Sequence, residues 1–274
     1  MRGGYYLLIC VTLTFGQTAK AEFREFVDPI TSCKVVLDVE PDDIIDIVSW
    51  SGSCSDGFAD GNGVLNVSGE GKLLGRYDGQ MTAGLFEGPG VVSAEYEGGF
   101  LLIDGNFVKG LPNGKAHVTW PNGDVFEGVL KGSLETGSGM YRDPKGGFMQ
   151  ASWKDGLVFG PVTYQTNDGE LFSGVFENNE PVSGSITYPN GNRYEGPFSD
   201  GVPSGQGLLV TSDGGLYSGG FVAGVPGGRG TYLHSDGAIF EGDFKDGYPD
   251  GTITVTQADG SVTSQTWKNG EQIE

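Results

Sequence analysis

Two histidines, three cysteines and 36 acids are the residues of this 274-residue chain that could carry chemistry. His117 and His234 lie far apart, and neither has a Ser, Cys or acid at the spacing a nucleophile or a metal site requires. Both read as strand or turn residues. Asp42, Asp43 and Asp46 form one acidic cluster, and Ser55, Asp56 and Asp60 another. Oxygen ligands suit Ca²⁺, but neither cluster sits in an EF-hand loop or a calcium nonapeptide repeat, so they read as turn acids. No G-x-x-x-x-G-K-[ST] phosphate loop occurs. Paired carboxylates are expected by chance at 36 acids against 16 bases, so no pair is assigned as general acid and base. The chain is therefore expected not to be an enzyme, with no catalytic, metal or cofactor site and no small-molecule substrate.

The formal charge of −20 excludes a nucleic-acid binder of the basic-patch kind. It also opposes anionic lipid headgroups, which attract Lys and Arg. One local cluster, Lys131, Arg142, Lys145 and Lys154, is a candidate lipid-facing basic patch. Five acids, Asp78, Asp104, Glu127, Glu195 and Glu241, recur at one position of a repeat and are a candidate face for a basic partner. The alternative for these acids is solubility and blocked edge-to-edge association.

Residues 1–21 contain two bases, no acid, an apolar run from Tyr5 to Phe15 and the A-x-A pattern Ala19-Lys20-Ala21. They read as a secretory signal peptide, which places the mature chain in a periplasm or outside the cell. Ile9 before Cys10 argues against a lipoprotein signal. Cys33 and Cys54 then remain, and an even count in an exported chain predicts a disulfide.

What must position these residues is a repeat. Aromatic starts at Trp50, Tyr77, Phe126, Phe172, Tyr194, Tyr217 and Phe240, with weaker ones at Ile103 and Met149, are followed by Gly at +2, +7, +11 and often +13. A truncated tenth unit begins near Thr263, and most spacings are 23 residues. The +4 position is large and apolar in every unit after the first, where it is Cys54. Asn-Gly and Asp-Gly pairs such as Asp213-Gly214 and Asp236-Gly237 precede the starts and predict tight hairpin turns with positive φ. Even offsets should share a buried face, with bare glycine making room for rings from neighbouring strands, and odd offsets should be polar and face water. Glycine at 50 residues would penalise any helix.

This pattern, Y-x-G-x-F-x-x-G-x-x-x-G-x-G, resembles the MORN (membrane occupation and recognition nexus) repeat over residues 50–270. Ala116 and Val162 depart from it at +13, Ala151 and Gln265 at +2, and Ser133 and Asn179 at +7. The resemblance implies an all-β fold: an elongated single array of tandem β-hairpins, about ten MORN repeats over 50–274. Outside the repeats, residues 22–49 are expected to form a short N-terminal cap over the open edge, pinned by Cys33–Cys54. Ten two-stranded units would extend roughly 95 Å. The resemblance also implies a role: a non-catalytic scaffold mediating protein–protein interaction or self-association. The alternatives are a peripheral phospholipid-binding protein of the cell envelope and an accessory subunit of an envelope enzyme.

Overall fold

A computed structural model describes residues 22–39, 43–96, 98–132 and 134–273. The expected signal segment 1–21 lies outside these, as do Asp42 and Ser133. Among the described residues every element is a β-strand. The chain forms two compact units, one ending at Leu157 and one beginning at Val158. Each is a run of antiparallel hairpins in chain order.

In the second unit the strand Leu171–Glu177 pairs with Glu180–Thr187, which pairs with Arg193–Ser199. Gly205–Val210, Leu216–Val222, Val225–Leu233, Ile239–Lys245, Gly251–Thr256 and Val262–Lys268 follow in the same order. The four glycine positions do three different jobs. At +2 and +13 the two glycines face each other across a strand pair, as Gly196 faces Gly207. A methyl group on Gly196 would lie 2.3 Å from Tyr194 Oη, and one on Gly207 2.4 Å from Tyr194 Cε2. The ring over each bare pair is the repeat's own leading aromatic: for the +13 glycine it comes from the neighbouring strand, as the pattern predicts, and for the +2 glycine from the same strand. A residue at 0 leans along its own strand, and only hydrogen at +2 lets it lie flat. Trp50, Tyr77, Phe126, Phe172 and Tyr217 repeat the arrangement. The tyrosine hydroxyls then reach beyond the glycine, and Tyr77, Tyr194 and Tyr217 donate to the +3 carbonyls of Gln80, Pro197 and Gly220 at 2.7, 2.7 and 3.0 Å.

At +7 the glycine closes a two-residue turn. Asp56-Gly57, Ala83-Gly84, Asp200-Gly201, Ala223-Gly224 and Asp246-Gly247 pair a φ of 49–51° with one of 74–90°. Both are positive, as a type I′ hairpin requires. The glycine N–H also donates to the +9 carbonyl of the preceding repeat, as Gly224 does to Pro203 at 3.0 Å and Gly247 to Pro226 at 3.0 Å. Glycine at +11 holds positive φ, as Gly88 does at 68° inside Leu85–Tyr96, where the register shifts and marks a bulge.

The Asx-Gly pairs were expected to form turns with positive φ, and here the structure differs. Only the glycine is left-handed, as Gly214 is at 92°. The loop is closed by Gly214 N–H to Thr211 O at 3.0 Å and Thr211 N–H to Gly215 O at 2.9 Å, a type I turn with a glycine bulge. The Asp keeps ordinary φ because its carboxylate is used locally. Asp213 accepts from the Thr211 hydroxyl and from Gly215 N–H, which hold its carboxyl below the usual range.

The buried aromatics form a zigzag of edge-on contacts within the second unit. Phe198 meets Tyr194 at 5.3 Å, Tyr194 meets Phe221 at 4.7 Å, Phe221 meets Tyr217 at 5.4 Å and Tyr217 meets Phe244 at 4.9 Å. Each 0 residue thus touches the +4 residue of its own and of the next repeat. Such edge-to-face pairs add about 0.5–1.5 kcal/mol each beyond burial.

In the first unit the expected cap divides into two parts. Ile47–Trp50 pairs with Phe58–Gly69 and is the edge strand. Lys34–Val39 does not cover that edge. It pairs with Glu22–Val27 as a separate hairpin that crosses the type I′ turns. Lys34 N–H donates to Gly57 O at 2.9 Å, Val36 N–H donates to Gly84 O at 2.8 Å, and the Phe23 ring lies against Gly110. Successive turns present free carbonyls in a line, and a strand running across them satisfies the donors of that strand. Two ties hold the hairpin. Cys33 is bonded to Cys54. The buried Asp28 accepts from Ile30 N–H and Thr31 N–H in its own turn and from Trp50 N–H at 2.8 Å. Burial raises the Asp28 carboxyl, but the three donors outweigh it and leave it below the usual range.

Candidate functional site

Two surfaces of these units carry unusual chemistry: the outward sheet face and a groove beneath the N-terminal hairpin. The acids at +1 are exposed and lie in rows. In the first unit Asp78, Val91, Asp104, His117 and Glu127 face one another across five successive strands. In the second, Glu195 and Glu241 share a row with Leu208, Ser218 and Thr231. Several of the acids are already paired. Arg76 holds Asp78 at 2.9 Å, Arg193 holds Glu195 at 3.1 Å, and Glu127 has Arg142 at 3.3 Å and His117 at 3.4 Å. These pairs are exposed and weak individually.

The four bases do not come together. Lys131 pairs with Leu134 beside one turn, and Lys154 ends the strand Phe148–Lys154 on that same side. Arg142 pairs with Val125 at the opposite end of the hairpin, next to Lys145 in the 143–147 loop. Six residues of strand, roughly 20 Å, separate Lys131 from Val125. His117 and His234 belong to different units; His234 Nδ1 lies 2.9 Å from Asp236 Oδ1 in its own turn. Asp46 accepts from Glu70 N–H, and no group of three or more His, Cys, Asp or Glu side chains among the described residues could hold a metal.

The outward face is not uniformly polar, contrary to the expectation for odd offsets. Position −1 is apolar in seven repeats: Leu102, Val125, Phe148, Leu171, Leu216, Ile239 and Val262. In the second unit Val210, Leu216, Leu233 and Ile239 stand side by side on four adjacent strands. Leu233 and Ile239 are more than a third exposed. Pairing between side chains on adjacent strands builds this row, and the sequence shows it only once register is known.

The groove lies between Lys34–Val39 and the inner face of the first hairpins and encloses about 680 Å³. Tyr77, Phe86 and Phe107 form an aromatic floor, with Tyr77 and Phe86 stacked at 4.0 Å. Leu37 and Val39 of the hairpin form a wall. Asp38, Asp43, Arg76 and Glu95 stand around it.

Two buried acids, Asp28 and Glu135, escaped sequence reasoning. Glu135 is 5% exposed, one carboxylate oxygen has no partner, and burial pushes its carboxyl up to about 7. It occupies +9, which pairs with +4 of the same hairpin, as Glu135 does with Leu130 and Pro203 with Phe198. In the other complete repeats +9 is Ala59, Phe86, Pro112, Val158, Pro181, Pro203, Pro226 or Pro249, and in the truncated last unit it is the exposed Gln272. Aligning the repeats at +9 would have revealed Glu135.

Comparison with known proteins agrees with the repeat geometry. The MORN repeat model matches five segments, residues 77–93, 104–125, 194–216, 217–239 and 240–252. The chain thus carries MORN repeats in both units. Alsin of Mus musculus is 29% identical over 143 residues, which cover 39% of this chain and 9% of Alsin. Alsin of Rattus norvegicus is 36% identical over 81 residues, 28% of this chain and 5% of that protein. The matches therefore span less than a tenth of these relatives. Among solved structures, the Drosophila melanogaster Sas-4 TCP domain in complex with a proline-rich motif of Ana2 aligns at 11% identity and a TM-score of 0.37, covering 56% of this chain and 84% of that one. A mutant TCP10 domain of Danio rerio CPAP aligns at 15% identity and a TM-score of 0.37, covering 89% and 99%. Similarity at that score identifies no partner.

Proposed function

We propose that this is an exported, non-catalytic repeat scaffold that binds a protein partner through the outward faces of its sheets. The observation that carries the reading is the row Val210, Leu216, Leu233 and Ile239, set beside the parallel row that holds Glu195 and Glu241. An exposed apolar strip rimmed by acids suits a partner segment that alternates apolar and basic residues. MORN repeats in five segments favour a scaffold or an interaction module. Export rests on the signal pattern of residues 1–21 and on the disulfide between Cys33 and Cys54.

The test is affinity capture from the exported fraction of producing cells, comparing the wild type with a Leu216→Ser, Leu233→Ser, Ile239→Ser variant. Expected is one protein retained by the wild type, released by high salt and absent with the variant. Flotation of the wild type with anionic vesicles, with no protein that distinguishes the two, would replace this reading by the lipid-binding one.

A further inference from the structure

The apolar row of the second unit has a geometry that selects the shape of what lies on it. It crosses the strands rather than following one. Val210 faces Leu216, Leu216 faces Leu233 and Leu233 faces Ile239. Neighbouring strands are about 4.8 Å apart, so the row steps by that distance and spans roughly 14 Å. Arg193 closes it at one end and Thr256 at the other. It is one residue wide. The chain turns through 211–215 and 234–238 on one side, and the row of Glu195, Leu208, Ser218, Thr231 and Glu241 on the other is polar apart from Leu208.

A flat partner, the sheet of a second copy included, would bury these hydroxyls and carboxylates along with the row. An extended segment lying on the face fits no better. The strands that carry the row are hydrogen-bonded on both sides, so their face offers no backbone donors or acceptors to a partner's main chain. Side chains on one face of a strand also recur every ~6.6 Å, out of step with the row. An α-helix meets all three conditions. It satisfies its backbone internally, touches a sheet along a narrow stripe and brings a side chain onto one face every turn, about 5.4 Å. Over the three steps of the row the two spacings diverge by only about 2 Å. The flank has a sign as well. Glu195 and Glu241 are exposed and stand roughly 19 Å apart, and Glu241 makes no ion pair among the described residues. Resting on the outward-face reading, we infer that the partner presents an amphipathic α-helix laid across the strands, with apolar residues three and four apart on the row and bases on the flank that meets Glu195 and Glu241. The alternation of apolar and basic residues that suits the strip is then that of a helix, with a period of three to four residues.

Two labelled peptides made only of leucine and lysine, titrated with the full oxidised chain and followed by fluorescence anisotropy, test this. One carries its leucines three and four residues apart and folds as an amphipathic helix. The other alternates leucine and lysine strictly and is extended. Expected is that the helical peptide binds about tenfold more tightly, since an extended one seats fewer leucines on the row. Leu233→Lys, at a position more than a third exposed, should remove that preference, as should the triple serine variant. Glu241→Gln should weaken the helical peptide about threefold at low salt. Equal affinity of the two peptides, no binding of either, or a preference that Leu233→Lys leaves intact overturns the helix. An affinity unmoved by Glu241→Gln overturns its basic flank. Where the peptides bind equally and Leu233→Lys releases both, the helix falls and the outward-face reading stands; where Leu233→Lys releases neither, both fall. The single exposed substitution decides the matter even where the triple variant disturbs folding.

Discussion

Glu135 shows how much one side chain can change what a repeat slot means. At +9 its counterparts in the other complete repeats are apolar; its own carboxylate has lost water and one oxygen has found no donor. Its pKa rises from 4.5 to about 7 on folding. Below pH 4.5 both folded and unfolded chains hold this proton. Between 4.5 and 7 the unfolded chain releases it first, so stability falls as pH rises, by about 3 kcal/mol once both forms are ionised. Glu135→Gln should therefore be more stable than the parent at pH 8 by roughly 2–3 kcal/mol, and nearly equal to it at pH 4. Denaturant melts at the two pH values measure this, and parallel pH dependences for the two proteins would show that Glu135 is hydrated. Gly207 makes the complementary point, because a methyl there meets the Tyr194 ring at 2.4 Å. Gly207→Ala should cost about 1–3 kcal/mol through displacement of that ring, whereas Ser218→Ala on the outward face should cost almost nothing.

At the scale of the element, a repeat is two strands closed by two different loops. The type I′ turn needs two left-handed residues, and the first is unfavourable for any side chain lacking a local hydrogen-bonding group. Asp56, Asp200 and Asp246 suit it, but Ala83 and Ala223 hold φ near 50° with only a methyl group. Ala223→Asn should raise the thermal midpoint, with a gain of about 0.5–1 kcal/mol. A fall in the midpoint would mean that the methyl packs against the adjacent turn. The Asx-Gly loop works differently, since only its glycine is left-handed and the Asp serves as an acceptor. Proline is suited to +9 because that position needs only its carbonyl, which accepts from the next +7 glycine.

For the molecule as a whole, stability in a repeat array is local, each hairpin leaning on its neighbours. The disulfide is the exception, tying residues 21 apart from two different elements. Its reduction should remove about 3 kcal/mol from the surrounding structure. Hydrogen exchange after reduction should speed up in residues 34–39 and 47–50 and stay unchanged in 193–268. Uniform loss of protection would mean that the two units unfold as one.

The repeat and its all-β class were legible in the residues themselves. Glycine at fixed offsets and an apolar residue at +4 are local requirements, and local requirements leave a periodic trace. The Cys33–Cys54 pairing was likewise readable, from the two cysteines that remain when residues 1–21 are read as a signal segment. Which ring covers which glycine was not, because a side chain's lean depends on the space around it. The four bases between Lys131 and Lys154 are close in sequence, yet a hairpin sends them to opposite ends of the strands. The row Val210, Leu216, Leu233 and Ile239 arises from register, and the groove from a hairpin crossing turns distant in sequence. These features join residues through space rather than along the chain, and only the tertiary structure brings them together.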